Sequence, residues 1–160
     1  MIRLAKEAKP AYQRHPLAEQ RLHSATTLVK GLLQMPGLIA EHRREFLKLA
    51  QWKVTEAEGR TKYKTRMCSQ ESLSNAPGSK LEHDHVFQRS LMVDALLSAS
   101  PDAVDTIIKG AVGCTITKQE HDRLKQFEHL DGWGRYRAAG IVVINTETGD
   151  LFAIPEEIAE

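Results

Sequence analysis

Val112-Gly113-Cys114-Thr115-Ile116-Thr117-Lys118-Gln119-Glu120-His121 holds the change of period on which the fold turns. Val112 to Ile116 is short, apolar and β-leaning. Thr117 is followed three residues later by Glu120, the spacing of a capping box, so a helix is expected to begin at Lys118. His121 falls near the end of its first turn. Leu124 and Phe127, three and six residues further on, give it an inward-facing side that His121 shares.

Working outward, the flanking segments supply helices upstream and a hairpin downstream. Asp131 to Ala139 reads as a short helix ended by Gly140. Ile141–Asn145 and Leu151–Ile154 read as a hairpin around Asn145-Thr146-Glu147-Thr148-Gly149, with Gly where a positive φ is needed. Upstream, Ser100-Pro101-Asp102 is a cap with Pro at the first helical position, and Val104, Ile107 and Ile108 form the buried stripe of a helix closed by Gly110. Phe87, Leu91, Leu96 and Leu97 predict another helix before it.

Near the start, residues 1–10 read as an arm. From Leu17, apolar residues recur at Leu22, Ala25, Val29, Leu32 and Leu33 with a helical period. Pro36-Gly37 interrupts it. A second helix is expected from Leu38 to Ala57, with Ile39, Phe46, Leu49 and Ala50 near its apolar side and Gly59 beyond its end. Ser69 to Ser79 reads as a loop with a helical turn around Glu71 to Leu73. The expected fold is α+β: an N-terminal helical hairpin (1–59), then a small mixed domain (60–160) with short strands and a C-terminal β-hairpin. The alternative is one continuous domain.

Bulk properties exclude several classes. The chain has 160 residues, 41% hydrophobic and 27% charged, an ordinary globular composition able to bury a core without staples. No apolar run reaches the roughly 20 residues that span a bilayer, so no membrane partner is expected. The N-terminus lacks an apolar signal core, and a cytoplasmic location is the default. Cys68 and Cys114 are too few for a disulfide framework or a four-thiolate zinc site.

The net charge of +1 conceals an asymmetry. Residues 1–66 carry 14 Lys/Arg against 6 Asp/Glu, and the remainder 8 against 15. A polyanion contact on the basic half is one reading, and charge pairing between the halves is the other. Arg60-Thr61-Lys62-Tyr63-Lys64-Thr65-Arg66 has period two. As a strand it would place Arg60, Lys62, Lys64 and Arg66 in one row, able to track a phosphate backbone or to guard a sheet edge.

The run Lys80-Leu81-Glu82-His83-Asp84-His85-Val86 is the segment that suggests chemistry. Two imidazoles and two carboxylates lie within four residues, flanked by apolar side chains. An extended segment of this kind is a common way to set a divalent-metal site beside a general base. Asp84 and His121 are the candidate metal ligands, and His85 is the candidate base. Glu82 is placed to orient an imidazole, and His83 and Glu120 are alternative ligands or supports. A structural reading stands beside each: His83 and His85 as satisfied strand histidines, Glu120 as a cap alone. Trp133 and Tyr136 are expected to pack, with Arg135 and Arg137 solvated.

Asp84-His85-Val86 resembles the first element of the HNH, or His-Me finger (ββα-metal), endonucleases. Cys114 to Leu124, with Gln119-Glu120-His121 on a helix after a short strand, is similar to their closing part. The resemblance covers about residues 80–127. It implies a phosphodiester-cleaving centre with His85 as base, Asp84 and His121 as metal ligands, and Mg²⁺, Mn²⁺, Zn²⁺ or Ni²⁺ as the ion. It also implies a nucleic acid as partner. The chain departs from the family pattern in having no Asn or His between His85 and His121, and a helical stretch where the family has a hairpin. The alternative expectation is a non-enzymatic nucleic-acid-binding or regulatory/inhibitor protein with a structural His cluster.

Overall fold

A computed structural model describes residues 12–74 and 80–156. The expected N-terminal arm lies outside these residues, as does the end of the loop after Leu73. The fold is α+β. Helices α1 (Ala18–Gln34) and α2 (Ala40–Thr55) come first. Strand β1 (Met67–Ser69), helix α3 (Gln70–Ser74) and strand β2 (Leu81–His85) follow, then α4 (Arg89–Ser98) and α5 (Pro101–Lys109). The chain ends with β3 (Gly113–Thr117), α6 (Lys118–Leu124), α7 (Trp133–Ala138), β4 (Val143–Asn145) and β5 (Asp150–Leu151).

Pro36-Gly37 breaks the first helix as expected, with Gly37 at φ +81°. A Cβ is strained there, which is why glycine suits the turn. The open end of α1 is closed by a residue of α2. The Arg43 guanidinium donates to the carbonyls of Leu32, Leu33 and Met35, carbonyls that the helix itself leaves unpaired. The buried stripe of α1 is Ala18, Ala25, Val29 and Leu32. In α2 it is Leu47, Ala50, Gln51 and Val54. Ile39, Phe46 and Leu49, expected on the apolar side, are exposed instead. The stripe is rotated because α2 must face α4 as well as α1.

The packing does not divide at residue 59. Val93 and Leu96 of α4 and Val104 and Ile108 of α5 join Val29, Leu32, Leu47 and Ala50 in one helical core. Ion pairs cross between the basic and acidic halves at Lys30–Asp105, Arg44–Asp94 and Arg66–Glu147. Part of the charge asymmetry is therefore neutralised within the molecule.

The sheet runs β2-β3-β1-β4-β5. β1 and β3 are parallel, and the other neighbours are antiparallel. The C-terminal hairpin forms as expected, with Gly149 at φ +81° in its turn. The segment 60–66 is not a strand. It is a loop tightened by a Lys64 N–H to Thr61 carbonyl hydrogen bond, and β1 begins at Met67. The reason is the fit at Gly59, where a Cβ would come within 2.9 Å of the Thr61 and Lys64 carbonyl oxygens. The chain folds back on itself there instead of extending. A second core, with Val86, Cys114, Ile116, Leu124, Tyr136, Ile141 and Val143, fills the sheet face under α6 and α7.

Candidate functional site

β2 is an edge strand, and its pleat sends alternate side chains to opposite faces. Its register with β3 sets Asp84 opposite Cys114 and His85 opposite Gly113. Asp84 shares the face of Cys114 and Ile116, beneath α6 and α7. His83 and His85 take the other face, against the C-terminal end of α2. The chain thus builds two polar clusters, one on each face of a single strand.

On the first face, Asp84 is buried and held by α7. Its Oδ2 accepts from Tyr136 Oη at 2.7 Å and from Arg135 Nη2 at 3.1 Å. Arg135 Nη2 also lies 2.7 Å from the His85 carbonyl and 2.9 Å from that of Val86. The expectation that Arg135 is solvated is therefore wrong, because only 5% of it is exposed. Its charge is held by the carboxylate and by the two carbonyls left free where β2 ends. Trp133 packs on Tyr136 and Phe152, as expected, and Arg137 lies at the surface, donating to the Ile154 and Pro155 carbonyls. The entry to α7 is set by the Asp131 carboxylate, which accepts from the Gln88 N–H at 2.7 Å. Gly132 lies at φ +60°, where a Cβ would sit 2.6 Å from the Phe87 ring.

The capping box forms as expected: Thr117 Oγ1 accepts from the Glu120 N–H, and the Glu120 carboxylate accepts from the Thr117 N–H. Glu120 Oε2 also accepts from Ser69 Oγ at 2.5 Å. This carboxylate is buried and occupied by cap and strand. The cap fixes the first turn of α6 and directs His121 towards Asp84. His121 Nδ1 lies 3.6 Å from Asp84 Oδ1, too long for a hydrogen bond. That nitrogen is buried and has no hydrogen-bond partner. Glu82 lies on the same face and has Lys80 at 3.9 Å, with no imidazole bonded to it. Its expected orienting role has no contact to support it, since the pleat turns both strand histidines away.

An unpartnered nitrogen beside a carboxylate oxygen fits a cation. Two donors each about 2.1 Å from one ion stand roughly 3–3.5 Å apart. Among the described residues no group of three or more His, Cys, Asp or Glu side chains is disposed to hold a metal. Asp84 and His121 would therefore be the protein's share, with water and substrate oxygens completing the shell, as is usual for Mg²⁺.

On the second face, His83 is buried. Its Nδ1 is 2.7 Å from the Lys62 carbonyl and its Nε2 is 3.2 Å from Thr55 Oγ1. His85 Nε2 is 3.1 Å from the same hydroxyl. Trp52 lies edge-on to His85, with ring centroids 4.3 Å apart. Burial lowers the pKa of both imidazoles, and that of His85 falls to about 3 with His83 and Arg89 adding to the effect. Both are neutral at physiological pH. Arg89, in the first turn of α4, stacks its guanidinium over Trp52 at 5.1 Å. Burial lowers its pKa too, and no carboxylate forms an ion pair with it among the described residues. Sequence reasoning gave Thr55, Trp52 and Arg89 no part in the site. Their only signal was a polar-aromatic end to an apolar helix and an Arg after the Asp-His pair.

The structure thus brings Asp84 and His121 together and turns His85 to the opposite face of the strand. It also disperses the four cations. Arg60 and Lys62 are exposed in the loop, Lys62 lying over the Tyr63 ring. Lys64 is half-buried, and Arg66 pairs with Glu58 and Glu147. The row expected from a strand does not form, because the loop turns at Thr61 to Lys64. A cleft of about 710 Å³ between α1, this loop and α5 is lined by four Lys/Arg and four Asp/Glu side chains, so its field is balanced.

No helix of the described residues is long and apolar enough to cross a membrane. No protein-family model, curated protein or solved structure is found to match the chain.

Proposed function

We propose that this protein is a small metal-dependent endonuclease that hydrolyses phosphodiesters at the edge strand β2. The observation that carries the reading is the open pair: Asp84 Oδ1 and the orphaned, buried His121 Nδ1, 3.6 Å apart. A buried unpaired imidazole nitrogen costs stability, and a cation shared with the carboxylate removes that cost. A divalent ion held there supplies charge neutralisation for the phosphoryl and leaving oxygens.

The chain's own residues divide the remaining work. In-line displacement sets the attacking and leaving oxygens on opposite sides of phosphorus. Asp84 and His121 on one face of the edge strand and His85 on the other are the groups that a phosphodiester lying along that edge would meet. His85, whose basicity the negative charge of a bound phosphate would raise, takes a proton from water, and the water oxygen bonds to phosphorus. The bond from phosphorus to the leaving sugar oxygen breaks, and that oxygen takes a proton from solvent. Arg89, which stacks on Trp52 beside His85 and has no carboxylate partner among the described residues, is suited to a backbone phosphate. Arg135 holds Asp84 in place, as the partners of metal ligands commonly do.

The alternative is a non-enzymatic nucleic-acid-binding protein. The observation in its favour is that Asp84 already serves a structural role through Arg135 and Tyr136. Plasmid incubated with Mg²⁺, Mn²⁺, Ni²⁺ or Zn²⁺ separates the two. Cleavage lost in His85→Ala, together with Mn²⁺ binding lost in Asp84→Asn and His121→Ala but kept in His85→Ala, is the expected result. Plasmid binding with no cleavage under any of the four ions would leave the binder.

A further inference from the structure

Thr55 and His83 form, with the Lys62 carbonyl, a hydrogen-bond relay whose direction is determined at one end. A carbonyl oxygen only accepts, so the 2.7 Å contact to Lys62 requires a proton on His83 Nδ1. His83 is 7% exposed, and among the described residues no carboxylate lies within bonding distance of it, so it is neutral. Its Nε2 then carries a lone pair and can only accept, and the atom facing it is Thr55 Oγ1 at 3.2 Å. Thr55 has a single hydroxyl proton, and it goes either to that lone pair or to the Trp52 carbonyl at 3.3 Å, which likewise only accepts. The Thr55 oxygen can therefore only accept from His85 Nε2, 3.1 Å away.

We propose that this relay locks His85 in the tautomer protonated at Nε2 and leaves Nδ1 as its free basic nitrogen, making Thr55 and His83 positioning residues for His85. No hydrogen bond from the described residues reaches His85 Nδ1. The relay has its own packing requirement. A Cβ at Gly113 would stand 2.5 Å from His83 Cε1 and 2.6 Å from its Nε2, so the histidine ring occupies space that only glycine leaves open. Gly113 has an ordinary negative φ, so its role here is steric. Trp52 closes the other side, against both rings.

The functional consequence rests on His85 being the base, but the tautomer does not. Long-range ¹H–¹⁵N correlation spectra of the full chain at neutral pH, in EDTA and without nucleic acid, read it directly. The expected result is opposite tautomers in the two neighbours: His83 protonated at Nδ1, His85 at Nε2. Finding His85 protonated at Nδ1, or both rings in one tautomer, overturns the proposal whether or not the protein cuts. Thr55→Val should blur the distinction at His85, and Thr55→Ser should restore it. If cleavage is present, Thr55→Val should lower kcat about 10- to 100-fold with KM little changed, and Thr55→Ser should recover most of it. A Thr55→Val protein with unchanged spectra and unchanged kcat would refute the relay. Absence of cleavage with the expected tautomers would refute only the nuclease reading.

Discussion

The guanidinium of Arg135 lies 3.1 Å from Asp84 Oδ2, with both side chains almost wholly enclosed. It joins α7 to the last residues of β2 across 51 positions of sequence. The same carboxylate that would hold a cation through Oδ1 is anchored through Oδ2, so stability and site geometry share one side chain.

Arg135→Met should therefore destabilise the fold by about 3 kcal/mol, since removing one member of a buried ion pair leaves an uncompensated charge. Urea unfolding measures it. The double variant Asp84→Asn with Arg135→Met should recover part of the loss. A single variant as stable as the parent would mean that the pair does not hold α7.

Glu120→Ala should lower stability by about 2 kcal/mol, because the Thr117 N–H and the Ser69 hydroxyl both lose a buried acceptor. Mn²⁺ affinity should change little, since this carboxylate is committed to the cap. Calorimetric titration showing abolished ion binding in a variant that is still folded would instead make Glu120 a ligand.

Arg89→Ala should weaken binding of an oligonucleotide in EDTA and reduce the slope of log K against log salt by about one, the loss of one phosphate contact. Arg60→Ala, in the exposed loop, is the comparison. Equal slopes for Arg89→Ala and the parent protein would remove Arg89 from the interface.

Acid should destabilise the metal-free protein before its carboxylates titrate. His83 and His85 have folded pKa values below the ordinary 6.5, that of His85 about 3. As pH falls through 6.5 the unfolded chain takes up these protons and the folded one does not, so stability declines. For His85 the decline continues towards pH 3 and then levels off. The slope is about 1.4 kcal/mol per pH unit for each imidazole that stays neutral. Urea midpoints measured in EDTA at pH 7.5 and 5 check this, and His85→Gln should flatten the dependence. Midpoints that do not move between these values would show that neither ring is held neutral by burial.

Local chemistry alone determined much of this molecule. The capping box at Thr117, Pro101 after Ser100, the break at Pro36-Gly37 and the Gly149 turn were legible because each depends on neighbours within four residues. The strand that carries Asp84 and the helix that carries His121 were each legible in the same way, but their approach to 3.6 Å was not. Tertiary structure decided the rest. The sequence 60–66 alternates like a strand, yet close packing at Gly59 folds it into a loop, and the cation row is lost. Arg135 looked like a surface residue until β2 ended beside α7 and offered it a carboxylate and two carbonyls. Above all, the alternation of β2 guaranteed that Asp84 and His85 face opposite ways. Which face meets α2 and which meets α6 was set by register and by helices distant in the chain, because a strand's own residues do not encode what packs on either side of it.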